Sequence, residues 1–137
     1  MPKLVRFGVS LEAKLLRNFD RYIEEREYQN RSEAIRDIIR EGFVKKEWSE
    51  NKEVVGAIVL IYDHHKRNLV NKLTDIQHDF HNLVISSQHI HLDHKNCLET
   101  IIVKGKAREI EKLANKMKSA TGVKYGTLTA ATMAKEL

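Results

Sequence analysis

Apolar positions along the chain follow two different periods. Between residues 4 and 10 they alternate: Val5, Phe7 and Val9 are separated by Arg6, Gly8 and Ser10, which predicts a short strand. The period then lengthens. Leu15, Leu16, Phe19 and Ile23 form the stripe of a helix expected to start at Leu11 behind a Ser10 N-cap and to end near Glu27. Tyr28 and Gln29 make a turn. Asn30 caps a second helix, with Glu33 three positions on as in a capping box. Ile35, Ile38, Ile39 and Phe43 share one face of that helix, which runs to about Trp48. Residues 49–53, Ser-Glu-Asn-Lys-Glu, have no apolar member and read as a linker.

Beyond residue 53 the pattern changes. Residues 54–62 are a nearly unbroken apolar run, the pattern of a buried strand. Residues 66–80 read as a helix with Leu69, Leu73, Ile76 and Phe80 on one face. Residues 83–92 alternate as a strand, Asp93 to Asn96 form a turn, and 97–104 make another strand that Gly105 is expected to break. A helix over 107–119 turns Ala107, Ile110, Leu113, Ala114 and Met117 inward. Gly122 stops it, and 123–130 form a last strand. The order β-α-β-β-α-β is the ferredoxin-like split motif. The fold class is α+β, with a strand-helix-helix head over 1–48, a linker over 49–53 and a ferredoxin-like tail over 54–137.

A lone strand before two helices leaves its backbone groups unpaired. The simplest remedy is a twofold dimer in which two copies of the strand pair antiparallel. Phe7 and Val9 then enter a shared helical core. Arg6, Gly8 and Ser10 point outward on a two-stranded ribbon of the kind that fits the DNA major groove. The second helix aims its free N–H groups, at Arg31 to Glu33, toward a phosphate.

Composition adds limits rather than direction. The chain has 137 residues and a formal net charge of +5, and neither half is strongly basic, so charge alone says little about nucleic acid. Two small domains are each marginal alone, which favours oligomers. One cysteine cannot close an internal disulfide and suits a reducing cytosol. With no leader pattern and no apolar run near 18 residues, the protein is expected to be cytoplasmic, neither secreted nor membrane-spanning.

The sharpest chemical signal is that all 7 histidines and the only cysteine lie between His64 and Cys97. His89, His91 and Cys97 stand at His-x-His-x5-Cys spacing. Residues 89 and 91 share a strand face, and a hairpin at 92–96 sets His91 opposite Cys97 and His89 opposite Glu99. Two imidazoles, a thiol and a carboxylate then line one side of a ribbon. Glu99 is expected to accept an imidazole N–H rather than to bind a metal directly. A closed site needs a fourth ligand. His78 lies on the polar side of its helix, away from its own core, so a neighbouring chain is the natural source. His64, just after the first tail strand, pairs with Asp75 as a weaker second site. His65, His81 and His94 are expected to be solvated. The donor set suits zinc as a tetrahedron, or nickel and copper as a square plane.

The stretch Asn30-Arg31-Ser32-Glu33-Ala34-Ile35-Arg36 resembles the second-helix start of ribbon-helix-helix repressors. The expected DNA contacts are Arg6, Gly8 and Ser10 on the ribbon and Asn30, Arg31 and Ser32 at the helix start. Gly8 departs from the family, in which a polar side chain often stands there, so base reading falls on Arg6 and Ser10. Head, linker, ferredoxin-like (ACT-like) tail and the His78…His89-x-His91-x5-Cys97 pattern together resemble the nickel-responsive regulator (NikR) family over essentially the whole chain. The resemblance implies a square-planar Ni(II) site, one per subunit, made by His89, His91 and Cys97 of one subunit and His78 of another. It also implies a homotetramer, a dimer of DNA-binding dimers, that represses nickel-uptake genes from a palindromic operator. A potassium-type ion between head and tail would use Glu33 and Asp37.

Two other function classes compete. A Cys97–His91 nucleophile pair would make an enzyme, but no Gly-rich oxyanion loop accompanies it, and a four-ligand set leaves no open position. The other alternative is a ribbon-helix-helix repressor or antitoxin governed by zinc, copper, a small molecule or a protein partner.

Overall fold

The apolar run at 54–62 turns every second side chain to one side. Val54, Ile58, Leu60 and Tyr62 are buried in β1 (Glu53–Asp63), and the residues between them stay partly accessible. The computed structural model describes residues 2–137. Two units are distinguished, one reaching to Arg40 and one running from Glu41 to Leu137.

In the second unit β1 pairs antiparallel with β3 (Asn96–Lys106) and with β4 (Val123–Ala130), and β3 pairs antiparallel with β2 (Val84–His91). The sheet order is β2-β3-β1-β4. Helices α3 (Arg67–Asp79) and α4 (Ala107–Lys118) follow β1 and β3 in the chain. Their inward residues match the periodicity: Leu69 and Leu73 from α3, and Ala107, Ile110, Leu113, Ala114 and Met117 from α4, join one core with the sheet. Each large aliphatic side chain buried there contributes about 1.5–3 kcal/mol. The other side of the sheet is left partly open, with Ile90 opposite Leu98 and with Ile102 and Tyr125 exposed.

Gly105 does not end β3, which continues to Lys106. A Cβ at this glycine would run into the Leu83 side chain, which would have to shift to admit it. The polar stretch after α2 (Arg31–Ser49) is a helix cap. The amides of Asn51 and Lys52 bond back to the carbonyls of Trp48 and Glu47, and Asn51 takes the left-handed conformation at φ 56°. The Asn51 side chain accepts the Arg108 amide at 2.9 Å, and the Lys52 carbonyl accepts the Ala107 amide at 3.1 Å.

In the first unit the sequence and structure part at the start. The expected strand over 4–10 carries no ladder, since a strand needs a second one to pair with. Ser10 caps nothing. Helix α1 (Ala13–Glu25) begins two residues later than expected, with an extended Glu12 before it and no side-chain cap. Asn30 does cap α2, its Oδ1 accepting the Glu33 amide at 2.9 Å. Among the described residues up to Arg40 only Ala34 is buried. No helix of the described residues is long and apolar enough to cross a membrane.

Candidate metal centre

The β2–β3 hairpin is tied at its tip by Asp93, whose Oδ1 accepts the amides of Lys95 and Asn96, both at 2.8 Å. These bonds, Asn96 first, hold the Asp93 carboxyl below its ordinary range. The tie sets the register, and His91 stands opposite Cys97 and His89 opposite Glu99, as the spacing implied. Cys97 and Glu99 lie at inward positions of β3 and are fully buried, whereas His89 and His91 are exposed on the edge strand.

Glu99 is the hub behind the ribbon. A buried carboxylate is costly unless donors surround it. Here Tyr62 donates its hydroxyl to Oε1 at 2.7 Å, Gln77 donates its amide to Oε2 at 2.9 Å, and His89 Nε2 lies 3.1 Å from Oε2. Burial, and then the bond to Glu99, push the Tyr62 phenol far above its usual range. Tyr62 faces Cys97 across β1 and β3. Burial also pushes the Cys97 thiol up, and the nearby Glu99 charge adds to this, against the opposing hydrogen bond of Tyr62. A cation bound at sulfur would reverse that preference, since a coordinating thiol is deprotonated. Tyr62, Val70, Thr74, Gln77, His89 and Glu99 line a cleft of about 210 Å³ between α3 and the ribbon.

Two imidazoles and a thiol from adjacent strands match a soft-to-borderline transition metal by donor type. The structure does not gather them: no group of three His, Cys, Asp or Glu among the described residues is arranged to hold an ion. His89 is turned to Glu99 and lies within 3.5 Å of the Tyr62 hydroxyl. His91 stacks flat on His64, with ring centres 4.4 Å apart and planes 4° apart. His64 Nδ1 is shielded yet has no partner among the described residues. Burial first, then His65 and His91, depress the His64 imidazole. The carboxylates that oppose this are those of Asp63 and Asp93, and Asp75 is not among the groups acting most strongly on it. His78 lies exposed in the last turn of α3, its ring 6.2 Å from that of His81, while its neighbour Gln77 reaches inward. His65 pairs with Asp63 at 3.2 Å, and His94 is exposed.

In the first unit Arg6, Gly8 and Ser10 are all exposed. Arg31 bridges both oxygens of Asp20, at 2.9 and 3.0 Å, and so braces α1 against the start of α2. Ser32 is exposed and offers its carbonyl to Arg36 at 3.3 Å. Asp37 accepts the Tyr28 hydroxyl at 2.7 Å and lies 3.6 Å from Arg40, and Glu33 lines the same shallow cleft. Sequence reasoning missed Tyr62, Gln77, Tyr28 and Asp20. Tyr62 carried a signal: a tyrosine inside a buried strand needs a partner for its hydroxyl.

Comparison with known proteins adds an independent line. Residues 55–131 match the family model described as the NikR C terminal nickel binding domain, and residues 5–46 match that of the ribbon-helix-helix proteins of the copG family. A relative from Syntrophus aciditrophicus named as a nickel-responsive regulator is 59% identical over 129 residues, spanning 94% of each chain. One from Chlorobaculum tepidum with the same name is 61% identical over 125 residues, covering 91% of this chain and 93% of its own. An uncharacterized protein from Thermotoga maritima superposes with a TM-score of 0.51 at 10% identity, over 57% of this chain and 96% of its own, a likeness of fold alone.

Proposed function

The chain belongs to the nickel-responsive regulator family, a family of regulators rather than enzymes, and on that premise we propose that it binds operator DNA when Ni(II) is bound and represses nickel-uptake genes in the cytoplasm. The observation that carries the reading is the register of the hairpin, which sets His89, His91 and Cys97 on one side of one ribbon. These three, with His78 of the partner subunit, would hold one ion per subunit. The ion would supply a link between the ribbon of one subunit and α3 of another.

The chain's own residues do the rest. Glu99 orients His89, and Tyr62 and Gln77 hold the Glu99 carboxyl in place. His64, beside His91, would pair with Asp75 of α3 in a weaker second metal site. Glu33 and Asp37 are the carboxylates that would take a monovalent cation. The exposed apolar residues Phe7, Val9, Ile38 and Ile39 support a head dimer, and the open sheet face with Ile90, Ile102 and Tyr125 supports a tetramer of tails. Paired heads would set Arg6, Gly8 and Ser10 in the major groove of a palindromic operator, with Asn30, Arg31 and Ser32 near the backbone. The test is operator affinity measured with and without nickel, together with the absorption spectrum of the loaded protein. A nickel-thiolate spectrum and nickel-dependent binding are expected. Metal-independent operator binding would overturn the reading.

A further inference from the structure

Arg31 is the first residue of α2, where the free amide N–H groups of the helix carry partial positive charge. A cation at this end opposes the helix dipole, so Arg31 does not serve the helix it starts. The cap comes from Asn30, and Glu33 is the acidic residue of the first turn. A guanidinium fork fits a carboxylate or a phosphate, in both cases through two parallel N–H···O bonds. Within the head a carboxylate fills it. Arg31 Nε lies 2.9 Å from Asp20 Oδ1, and Nη2 lies 3.0 Å from Oδ2. The guanidinium holds the Asp20 carboxyl below its ordinary range.

Both side chains are open to water, Arg31 at 57% and Asp20 at 46%. An ion pair so exposed is screened and adds little to stability. Its effect on the charge of the surface is larger. The fork of Arg31 is already taken up by an acid of the same chain, at the helix end that would lie beside a DNA backbone.

We propose that Asp20 limits how strongly the head holds DNA: its carboxylate takes the place of a phosphate on Arg31 and withholds that cation from duplexes of any sequence. This rests on the DNA binding proposed above, which puts the start of α2 near the backbone. Phosphate contacts carry no sequence information, and each cation that neutralises a phosphate releases a counterion and strengthens binding to every duplex. Asp20 is therefore a positioning residue, acting through Arg31 and not by touching DNA itself. Base reading by the ribbon does not depend on it.

The test is a double-mutant cycle in the full-length, nickel-loaded protein: wild type, Asp20→Asn, Arg31→Ala and the double variant. Affinities for operator and scrambled duplexes are followed over about 0.1–0.4 M salt. Asp20→Asn should tighten both duplexes at least about tenfold at the lowest salt, and steepen the salt dependence by about one for each Arg31 that meets a phosphate. Arg31→Ala should cost little in the wild type and should cancel most of the gain in Asp20→Asn. Melting of the head should hardly change. Equal gains from Asp20→Asn with and without Arg31 overturn the proposal, because Asp20 would then only repel DNA at a distance. No gain at all overturns it. So does a head that unfolds in Asp20→Asn, because the pair would then belong to the fold. A wild type with no preference for the operator defeats the functional reading instead, and the cycle on the scrambled duplex still decides the role of Asp20.

Discussion

In the tail, Ile58, Ile110 and Leu113 are completely buried by elements of their own chain, whereas in the head Phe7, Leu15 and Ile39 keep 70%, 55% and 46% of their surface exposed. The tail has a sheet and two helices, enough to close a core around β1. The head has two helices and an unpaired segment, too few elements to cover either helix stripe. The difference separates two kinds of site. Chemistry that depends on buried groups, such as the Glu99 hub, can be prepared within one tail. On the proposed function, the head's reading surface would be complete only when a second copy pairs its strand.

The contrast can be broken or sharpened by mutation. The largest effect is expected in the tail's metal chemistry. Cys97→Ser should lower nickel affinity by about a thousandfold or more and leave the circular dichroism of both units unchanged, as isothermal titration and spectra would check. Retention of one tight nickel per subunit would remove Cys97 from the ligand set. Because burial holds the thiol above its ordinary range, nickel binding near neutral pH must displace its proton. Wild-type affinity should therefore fall about tenfold for each pH unit of acidification, and this part of the slope should vanish in Cys97→Ser.

Core substitutions test the closure of the two units directly. Leu113→Ala should cost about 2–5 kcal/mol in tail stability, at any protein concentration. Ile39→Ala in the head should instead give a melting temperature that drops on dilution, as the proposed head dimer requires. Concentration-independent melting of the head would show that it closes alone.

Smaller effects concern orientation and reading. Tyr62→Phe removes a donor to Glu99 without changing shape, and nickel affinity should fall roughly ten- to hundredfold while operator preference in saturating nickel stays unchanged. Arg6→Ala should reduce the ratio of operator to scrambled-duplex affinity by about tenfold with nickel binding intact. Arg31 is occupied with Asp20, so Arg31→Ala should weaken all duplexes alike and only slightly. An unchanged ratio in Arg6→Ala would mean that the ribbon is not the reading surface.

The elements and their order were legible because local periodicity is a property of the backbone itself. The inward residues of α4 and the His91–Cys97 facing follow from helical and strand repeats plus one hairpin. The resemblance to the nickel regulators was carried by the same local spacings. Helix starts were less legible: Ser10 had the right chemistry for a cap, but the chain stays extended through Glu12 before α1 begins.

What only the tertiary structure decided are the contacts between segments far apart in the chain. Tyr62, Gln77 and His89 come from β1, α3 and β2, and nothing in their spacing says that the one carboxylate of Glu99 serves all three. The run at 49–53 has the composition of a slack join, yet Asn51 and Lys52 are bonded to the start of α4. Periodicity fixes which face a residue presents, because the repeat is set by covalent geometry. Which group it meets depends on strand register and on how helices settle on a sheet, and those are set by the packing of the whole core.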